Sequence, residues 1–140
     1  MTTADTSGAL HPRSTWAGEH GAGRAGRADR VLVVRLCGEF DEEGGAAVAQ
    51  RVAQALAERP EAVVLDLSEV DFFGSAALSV LVDARRRADE AGIVMGLVAT
   101  RRVTLLPLEL TGLARVFPVF TTVRAALAEL GGNAEGALSA

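Results

Sequence analysis

One serine stands where its hydroxyl could carry chemistry. Ser75 follows an apolar run and Gly74, and it precedes a stretch in which leucine and valine recur at three- and four-residue spacing. This order predicts a strand, a tight corner and the start of a helix. At a helix start the hydroxyl can accept a hydrogen bond from a free backbone N–H group, which would make Ser75 an N-cap worth about 1 kcal/mol.

The same position suits covalent modification of the hydroxyl. A phosphate on Ser75 would meet free N–H groups and the positive end of the helix dipole, so the fold would tolerate it. It would add about −1.5 to −2 charges to the surface, enough to repel or admit a partner without unfolding the protein. The residues alone leave both roles open, the cap and the regulatory switch.

Catalytic chemistry needs groups that the sequence does not place near Ser75. Both histidines, His11 and His20, lie in a segment without sustained periodicity, and a Ser-His-Asp arrangement would need that segment to supply its base. Most carboxylates lie at predicted turns and helix starts, where capping and solvation are usual, and only Asp66 and Asp71 flank the predicted corner. We therefore predict that the protein is not an enzyme and has no catalytic residues.

A glycine-rich stretch and a single cysteine are the remaining candidates for a cofactor or metal site. Gly21, Gly23 and Gly26 match the spacing of dinucleotide-binding loops, but that motif needs a strand before it and a helix opening on its last glycine. Here STWAGEH precedes it, and RADR leads from it into a predicted strand. Cys37 alone allows neither an internal disulfide nor a cysteine-based metal centre. We expect no cofactor and no metal.

The composition fits one soluble domain. Of the 140 residues, 49% are hydrophobic and 23% charged, which is enough apolar chain for one layered core. The net charge of −4 gives no attraction for nucleic acid or anionic lipid. No segment approaches the roughly 20 apolar residues that span a bilayer, and the first residues lack the apolar core of a signal peptide. We expect a cytoplasmic protein that binds neither nucleic acid nor membranes.

The elements that would position Ser75 follow from the apolar periodicity. Runs that are apolar on both faces predict buried strands at residues 31–36, 62–67 and 93–99. Stripes at helical spacing predict helices between them, one starting near Asp41 and the other at Ser75. The order βαβαβ favours a parallel sheet with right-handed crossovers. Acidic residues at the start of the first helix make Asp41 most simply its cap.

Beyond the third strand the pattern is less regular. A helix is expected at residues 101–110, with its regular part confined to one side of Pro107 because proline lacks a backbone donor. A short edge strand at 116–120 and a last helix at 122–130, ended by Gly131 and Gly132, complete the prediction.

Three parts of the chain are distinguished by composition. Residues 1–28 predict a flexible extension with an edge strand near 14–17, and residues 29–131 predict the folded domain. Residues 132–140 are expected to form a flexible tail.

Three motifs along the folded part carry a family resemblance. GEFD at residues 38–41, DLSEVDFFGSAAL at 66–78 and LTGLARVFPVFTTVRAAL at 110–127 resemble the landmarks of STAS domains, specifically of bacterial anti-sigma factor antagonists. The resemblance implies an α/β fold with a mixed, mostly parallel sheet of four to five strands and about four helices. It also implies a binding protein for an anti-sigma factor of the histidine-kinase-like ATPase type, whose sigma factor is thereby released. Members are controlled by phosphorylation of a serine at the start of the second helix, a position that Ser75 occupies.

The resemblance also implies a docking surface and its regulation. The surface would combine the corner near Asp41 with the start and exposed side of the second helix, and its expected partner-binding residues are Asp41, Gly74, Ser75, Ala76, Ser79, Asp83 and Arg86. A phosphatase is an expected second partner, and the protein is expected to be a monomer or a weak homodimer.

Two residues next to Ser75 depart from the family pattern. Members usually have an acidic residue immediately before the serine and a glycine two residues after it, whereas this chain has Gly74 and Ala77. Ala77 favours a helix and costs little, but the missing carboxylate changes the charge of the expected surface. An alternative function therefore stays open: a non-catalytic STAS scaffold or accessory subunit of a stress-sensing assembly or transporter, without a phosphorylation switch.

Overall fold

The structure is a computed structural model that describes residues 13–16 and 31–139. The elements in chain order are β1 (Arg13–Trp16), β2 (Val31–Phe40), α1 (Glu42–Ala57), β3 (Ala62–Phe73), α2 (Ser75–Ala91), β4 (Val94–Val98), α3 (Arg102–Thr111), α4 (Leu113–Val116), β5 (Val119–Phe120) and α5 (Val123–Ser139).

The strands form one sheet in the order β1-β2-β3-β4-β5. Strands β2 to β5 run parallel, and β1 pairs antiparallel with β2 at the edge. Helix α1 connects β2 to β3, and helix α2 connects β3 to β4. The predicted α/β fold with a mostly parallel sheet of four to five strands is therefore confirmed; the described residues hold five helices where about four were expected.

The first half of the central strand β3 is buried on both faces, as its continuous apolar sequence predicts. One face of β3, with Leu65, packs in the larger core cluster, which includes Val52 of α1 and Leu81 of α2. The other face, with Val64, packs in a smaller cluster that includes Ala126 of α5. Because helices cover both faces, the strand shows no alternation of apolar and polar residues in this part.

Strands β2 and β3 extend beyond the predicted runs and end at Phe40 and Phe73. They stay paired through two register shifts, the second directly after Gly38, whose φ of 104° lies in the left-handed region that glycine tolerates. The rings of Phe40 and Phe73 then meet edge to face, with centroids 5.6 Å apart. Strand β4 pairs with β3 only as far as Asp66, so residues 67–73 have a strand on one side alone.

The prediction that Pro107 confines the third helix to one side is wrong. Helix α3 contains Pro107 in its interior and continues to Thr111. Thr104 and Leu108, on either side of the proline, are both buried, so packing compensates for the hydrogen bond that proline cannot donate.

The carboxyl-terminal elements also differ from the prediction. The edge strand is reduced to Val119–Phe120, because residues 113–116 form helix α4. Helix α5 does not end at Gly131 and Gly132 but continues to Ser139, so the residues expected to form a flexible tail from residue 132 are helical up to that point. A glycine costs a helix only about 1 kcal/mol relative to alanine, and the alanine, glutamate and leucine residues that follow favour the helix.

At the amino-terminal side, β1 occupies Arg13–Trp16 and so matches the edge strand expected near residues 14–17. The other features predicted for residues 1–28, including both histidines and the glycine-rich stretch, lie outside the described residues. The domain limits at residues 29 and 131 stay a prediction. In the described part of the chain, no helix has the length and apolar character needed to cross a bilayer.

Candidate functional site

Ser75 is the first residue of helix α2 and is exposed to solvent. The predicted N-cap role is wrong, because the capping position belongs to Gly74, whose backbone is extended with φ −99° and ψ −168°. The carbonyl of Gly74 accepts from the N–H groups of Ala77 at 3.0 Å and Leu78 at 3.3 Å. Within the described chain, no hydrogen bond engages the Ser75 hydroxyl, which is thus free to react or to contact a partner.

The start of helix α1 lies beside the start of helix α2. The Gly74 N–H donates to the carbonyl of Phe40 at 3.4 Å, and Asp41 follows as the N-cap of α1 with its Oδ1 accepting from Gly44 N at 2.9 Å. The predicted cap role of Asp41 is confirmed. A Cβ on Gly45 would lie 3.3 Å from Cγ2 of Val80 in α2, a contact tighter than most Cβ atoms make, so the glycine lets the two helices approach closely.

We call residues 72–76 the Ser75 corner, and its most exposed apolar group is Phe72. The Phe72 side chain is 49% exposed although it is aromatic, whereas Phe73 is buried in the core. A Cβ on Gly74 would lie 2.9 Å from Cε2 and 3.1 Å from Cζ of Phe72. The ring therefore occupies the space that a side chain at position 74 would need.

Arg101 supports the strand segment that leads to the Ser75 corner. One of its terminal nitrogens, Nη1, donates to the carbonyls of Val70 at 3.1 Å and Ser68 at 3.3 Å. The other, Nη2, donates to Asp71 Oδ1 at 3.1 Å. These carbonyls lie in the part of β3 that does not pair with β4, so the guanidinium donates the hydrogen bonds that a neighbouring strand would otherwise supply.

The two carboxylates that flank the corner in sequence have structural roles. Asp66 is buried, and its oxygens accept from Arg35 Nε at 2.9 Å and from both the backbone N–H and the hydroxyl of Ser68. Asp71 is exposed and pairs with Arg101. The structure does not bring them together as an acid and base pair, because each is engaged by a different arginine.

The exposed side of helix α2 carries the other predicted docking residues. Ser79 and Arg86 are exposed and Asp83 is half-buried. Asp83 accepts hydrogen bonds from Arg86 and, at 2.9 Å, from Arg87. The hydrogen bond from Arg86 holds the pKa of Asp83 below its ordinary value, although partial desolvation opposes this shift.

A groove runs along this side of α2. Its walls combine apolar and polar side chains from α2 and from the junction of α3 and α4, namely Leu78, Ser79, Val82, Asp83, Arg86, Thr111 and Leu113. Arg85 connects α2 to the end of α4, since its Nε donates to the carbonyl of Val116 at 3.0 Å. The arginines of α2 therefore hold ion pairs and interhelical contacts, and do not form an unpaired basic patch.

The structure thus brings the predicted residues at the Ser75 corner next to Asp41, and it spreads Ser79, Asp83 and Arg86 along the adjoining groove. Sequence reasoning missed Phe72 and Arg101. The only signal for Phe72 was a second phenylalanine beside one that the core needs, and Arg101 had no local signal. Among the described residues, no group of three or more histidine, cysteine, aspartate or glutamate side chains could hold a metal ion.

Comparison with known proteins places these features in a family. The family model for the STAS domain matches residues 24–126. The chain is similar to the anti-sigma-F factor antagonist RsfB of Mycobacterium tuberculosis, with 34% identity over 103 residues that cover 74% of this chain and 84% of that protein. It is also similar to the anti-sigma F factor antagonist of Paenibacillus polymyxa, with 29% identity over 101 residues, 71% of this chain and 86% of that protein.

A solved structure agrees with these relatives. The crystal structure of an anti-sigma factor antagonist from Mycobacterium paratuberculosis superposes with a TM-score of 0.74 at 29% identity, covering 87% of this chain and 94% of that one. The chain accordingly belongs to the STAS domain family, among the anti-sigma factor antagonists.

Proposed function

We propose that this protein binds an anti-sigma factor of the histidine-kinase-like ATPase type, thereby releases the sigma factor held by it, and is switched off by phosphorylation of Ser75. The observation that carries the proposal is the exposed Ser75 hydroxyl at the first turn of α2, without a partner in the described chain. Because anti-sigma factor antagonists are non-catalytic, the function rests on which partner can dock.

The charge around Ser75 supports a switch that acts on docking. Residues 72–76 contain no charged side chain. Two neighbouring carboxylates are engaged, Asp41 as a helix cap and Asp71 with Arg101, whereas Glu39, Glu42 and Glu43 are exposed. A phosphate of about −1.5 to −2 charges would place strong negative charge on the corner, whose residues 72–76 carry none, and a bound partner would have to desolvate it.

The fold would accept this modification without rearrangement. The N–H groups of Ser75 and Ala76 lie in the first turn of α2, where helix geometry leaves donors unsatisfied and the helix dipole favours negative charge. The phosphate would be stabilised by the helix that carries it. Docking would change, while the architecture would stay the same.

The proposed docking surface consists of the Ser75 corner, the start of α1 and the groove side of α2. Its residues are Asp41, Gly74, Ser75, Ala76, Ser79, Asp83 and Arg86. RsfB, of which the chain covers 84%, is named as an antagonist of an anti-sigma factor, which supports the class of partner. We further propose a phosphatase as a second partner, a cytoplasmic location, and a monomeric or weakly dimeric state.

Charge variants of Ser75 test the proposal. Ser75→Asp should weaken binding to the ATPase-type anti-sigma factor at least about ten-fold, whereas Ser75→Ala should bind like the wild type. Gln50→Glu, which adds one negative charge on the exposed face of α1, is the control. Equal affinity of the Asp and Ala variants, measured by isothermal titration calorimetry, would remove Ser75 from the interface.

The covalent step has its own test. Incubation with the purified anti-sigma kinase and ATP should add one phosphate to the peptide that contains Ser75, as measured by mass spectrometry. A peptide that stays unmodified while the protein still binds the kinase would contradict the switch and leave the binding function in place.

Gly74 favours a second candidate function. A kinase that needs the family's acidic residue before the serine would find at this position only the glycine and the ring of Phe72. In that case the chain would be a non-catalytic STAS scaffold or accessory subunit of a larger assembly. Size-exclusion chromatography with light scattering separates the two functions, because a scaffold should assemble with itself and an antagonist should stay monomeric or dimeric.

A further inference from the structure

We propose that Phe72 is the apolar anchor of the interface, and that it fits an apolar pocket on the anti-sigma factor next to the surface that meets Ser75. This inference rests on the proposed function and deepens it by naming the chemistry of the partner's surface. It starts from a juxtaposition, an aromatic ring that covers a glycine directly beside a free hydroxyl.

The exposure of Phe72 needs an explanation. Strand β3 continues past the end of β4, and its last residues pair only with β2. Phe73 turns into the core against Phe40, which leaves Phe72 with about half of its side chain in solvent, at 49%. A half-exposed phenylalanine leaves a large apolar area that a partner can bury.

Glycine at position 74 leaves the space that the Phe72 ring occupies. A Cβ at position 74 would come within 2.9 Å of the ring, a contact closer than real Cβ atoms make, so any other residue there would push the ring aside. The backbone does not require glycine, since φ −99° and ψ −168° are extended values that all residues adopt. The structural consequence of glycine here is therefore the position of Phe72.

The surroundings define the chemistry of the partner. Residues 72–76 carry no charged side chain, and the carboxylates of Asp41 and Asp71 are occupied by the N-cap of α1 and by Arg101. Glu39, which pairs with Phe72 across strands β2 and β3, is exposed, and no hydrogen bond or ion pair engages its side chain within the described chain, so a basic group of the partner could meet it at the edge of the ring. An apolar pocket would bury the ring itself and the neutral backbone of residues 72–76, in the manner of an aromatic hot spot.

A double-mutant cycle tests the pairing of Phe72 with Gly74. The probes are the purified ATPase-type anti-sigma factors of the source organism, and affinity is measured by calorimetry with the unphosphorylated chain. Phe72→Ala should weaken binding about ten-fold, as expected for an anchor with half of its surface left to bury. Gly74→Ala should weaken binding by a similar factor in the wild type and should have no further effect when Phe72 is already alanine.

Two controls separate this effect from altered folding. Val94, also 49% exposed, lies at the opposite, amino-terminal end of the parallel strands, so Val94→Ala should bind like the wild type. Phe72→Leu keeps an apolar side chain and should recover most of the affinity lost in Phe72→Ala. Circular dichroism and thermal unfolding show that each variant is folded before its affinity is compared.

The outcomes distinguish this inference from the proposed function. If the wild-type chain binds none of the anti-sigma factors, the proposed function fails and the anchor fails with it. If the wild type binds and Phe72→Ala binds equally well, the anchor is wrong and the proposed function stands. If Gly74→Ala weakens binding as much in the Phe72→Ala background as in the wild type, Gly74 does not act through the ring, and the pairing is refuted.

Discussion

Removal of the Arg101 side chain should destabilise the protein by about 2 kcal/mol, a large effect for an exposed arginine. The side chain makes three hydrogen bonds, to Val70 O at 3.1 Å, Ser68 O at 3.3 Å and Asp71 Oδ1 at 3.1 Å. The bond to Val70 is partly buried, and a charged donor there contributes about 1.5 kcal/mol or more. The other two are exposed, and together they add only about 0.5 kcal/mol.

Urea denaturation of Arg101→Ala, followed by circular dichroism, measures this loss. In a thermal unfolding experiment on a domain of this size, a loss of 2 kcal/mol corresponds to a decrease in Tm of about 8 °C. Arg102→Ala is the matched control, because Arg102 is the exposed neighbour and no hydrogen bond or ion pair joins its side chain to the rest of the described chain. Asp71→Asn tests the ion pair alone and should cost less than about 0.5 kcal/mol.

The reasoning would be refuted if Arg101→Ala and Arg102→Ala had equal effects, or if Asp71→Asn accounted for the whole loss. The first result would mean that water replaces the guanidinium at the carbonyls of β3 without cost. The second would mean that the ion pair, and not the support of the strand edge, is the stabilising contact.

Two further predictions concern side chains of the proposed docking surface. Asp41→Ala should lower the free energy of unfolding by about 1 kcal/mol, because the hydrogen bond from Gly44 N to the capping carboxylate is lost. Asp41→Asn should keep most of this stability, because its amide oxygen can still accept that bond. Equal losses for the two variants in urea denaturation would contradict the cap as the cause. The pKa of Asp83 lies below its ordinary value of 3.8, chiefly through the hydrogen bond from Arg86. The ionised Asp83 side chain should thus stabilise the fold above pH 3.8, and this stabilisation should disappear as the pH falls through the lower folded pKa. The urea midpoints of the wild type and of Asp83→Asn should therefore converge in acid. A constant difference between the two midpoints down to about pH 2 would contradict this prediction.

The fold could be predicted from the sequence because its signals are local. The runs of β2, β3 and β4 that helices cover on both faces are almost entirely apolar, with Arg35 and Asp66 as the charged exceptions. Asp41 was correctly identified as a cap because acidic residues follow it directly at the helix start. The predictions made from Pro107 and from Gly131 and Gly132 were wrong. Proline and glycine destabilise a helix locally by a few kcal/mol at most, and packing or the helix-favouring residues that follow outweigh this cost.

The candidate site was only partly predictable, because its missing parts depend on distant contacts. Ser68, Glu69 and Asp71 interrupt the apolar pattern of β3, so the sequence predicts a strand that ends at Leu67. In the structure the strand continues, because it pairs with β2 and accepts hydrogen bonds from Arg101. Arg101 is 31 residues away from Val70 in sequence, which no periodicity reveals. Ser75 was found because it combines a helix start with a preceding strand, but its exact place, one residue inside the helix, depends on Gly74.

That place determines how the proposed switch would work. An N-cap serine would use its hydroxyl to hold the helix, and a phosphate there would have to replace this bond. The Ser75 hydroxyl holds no such bond, because the carbonyl of Gly74 accepts the first hydrogen bonds of α2 and Asp41 caps the neighbouring helix α1. The hydroxyl can therefore gain charge without loss of any hydrogen bond within the described chain. It follows that Ser75→Asp should leave the Tm within about 2 °C of the wild type, so any weaker binding of that variant reports on the interface itself.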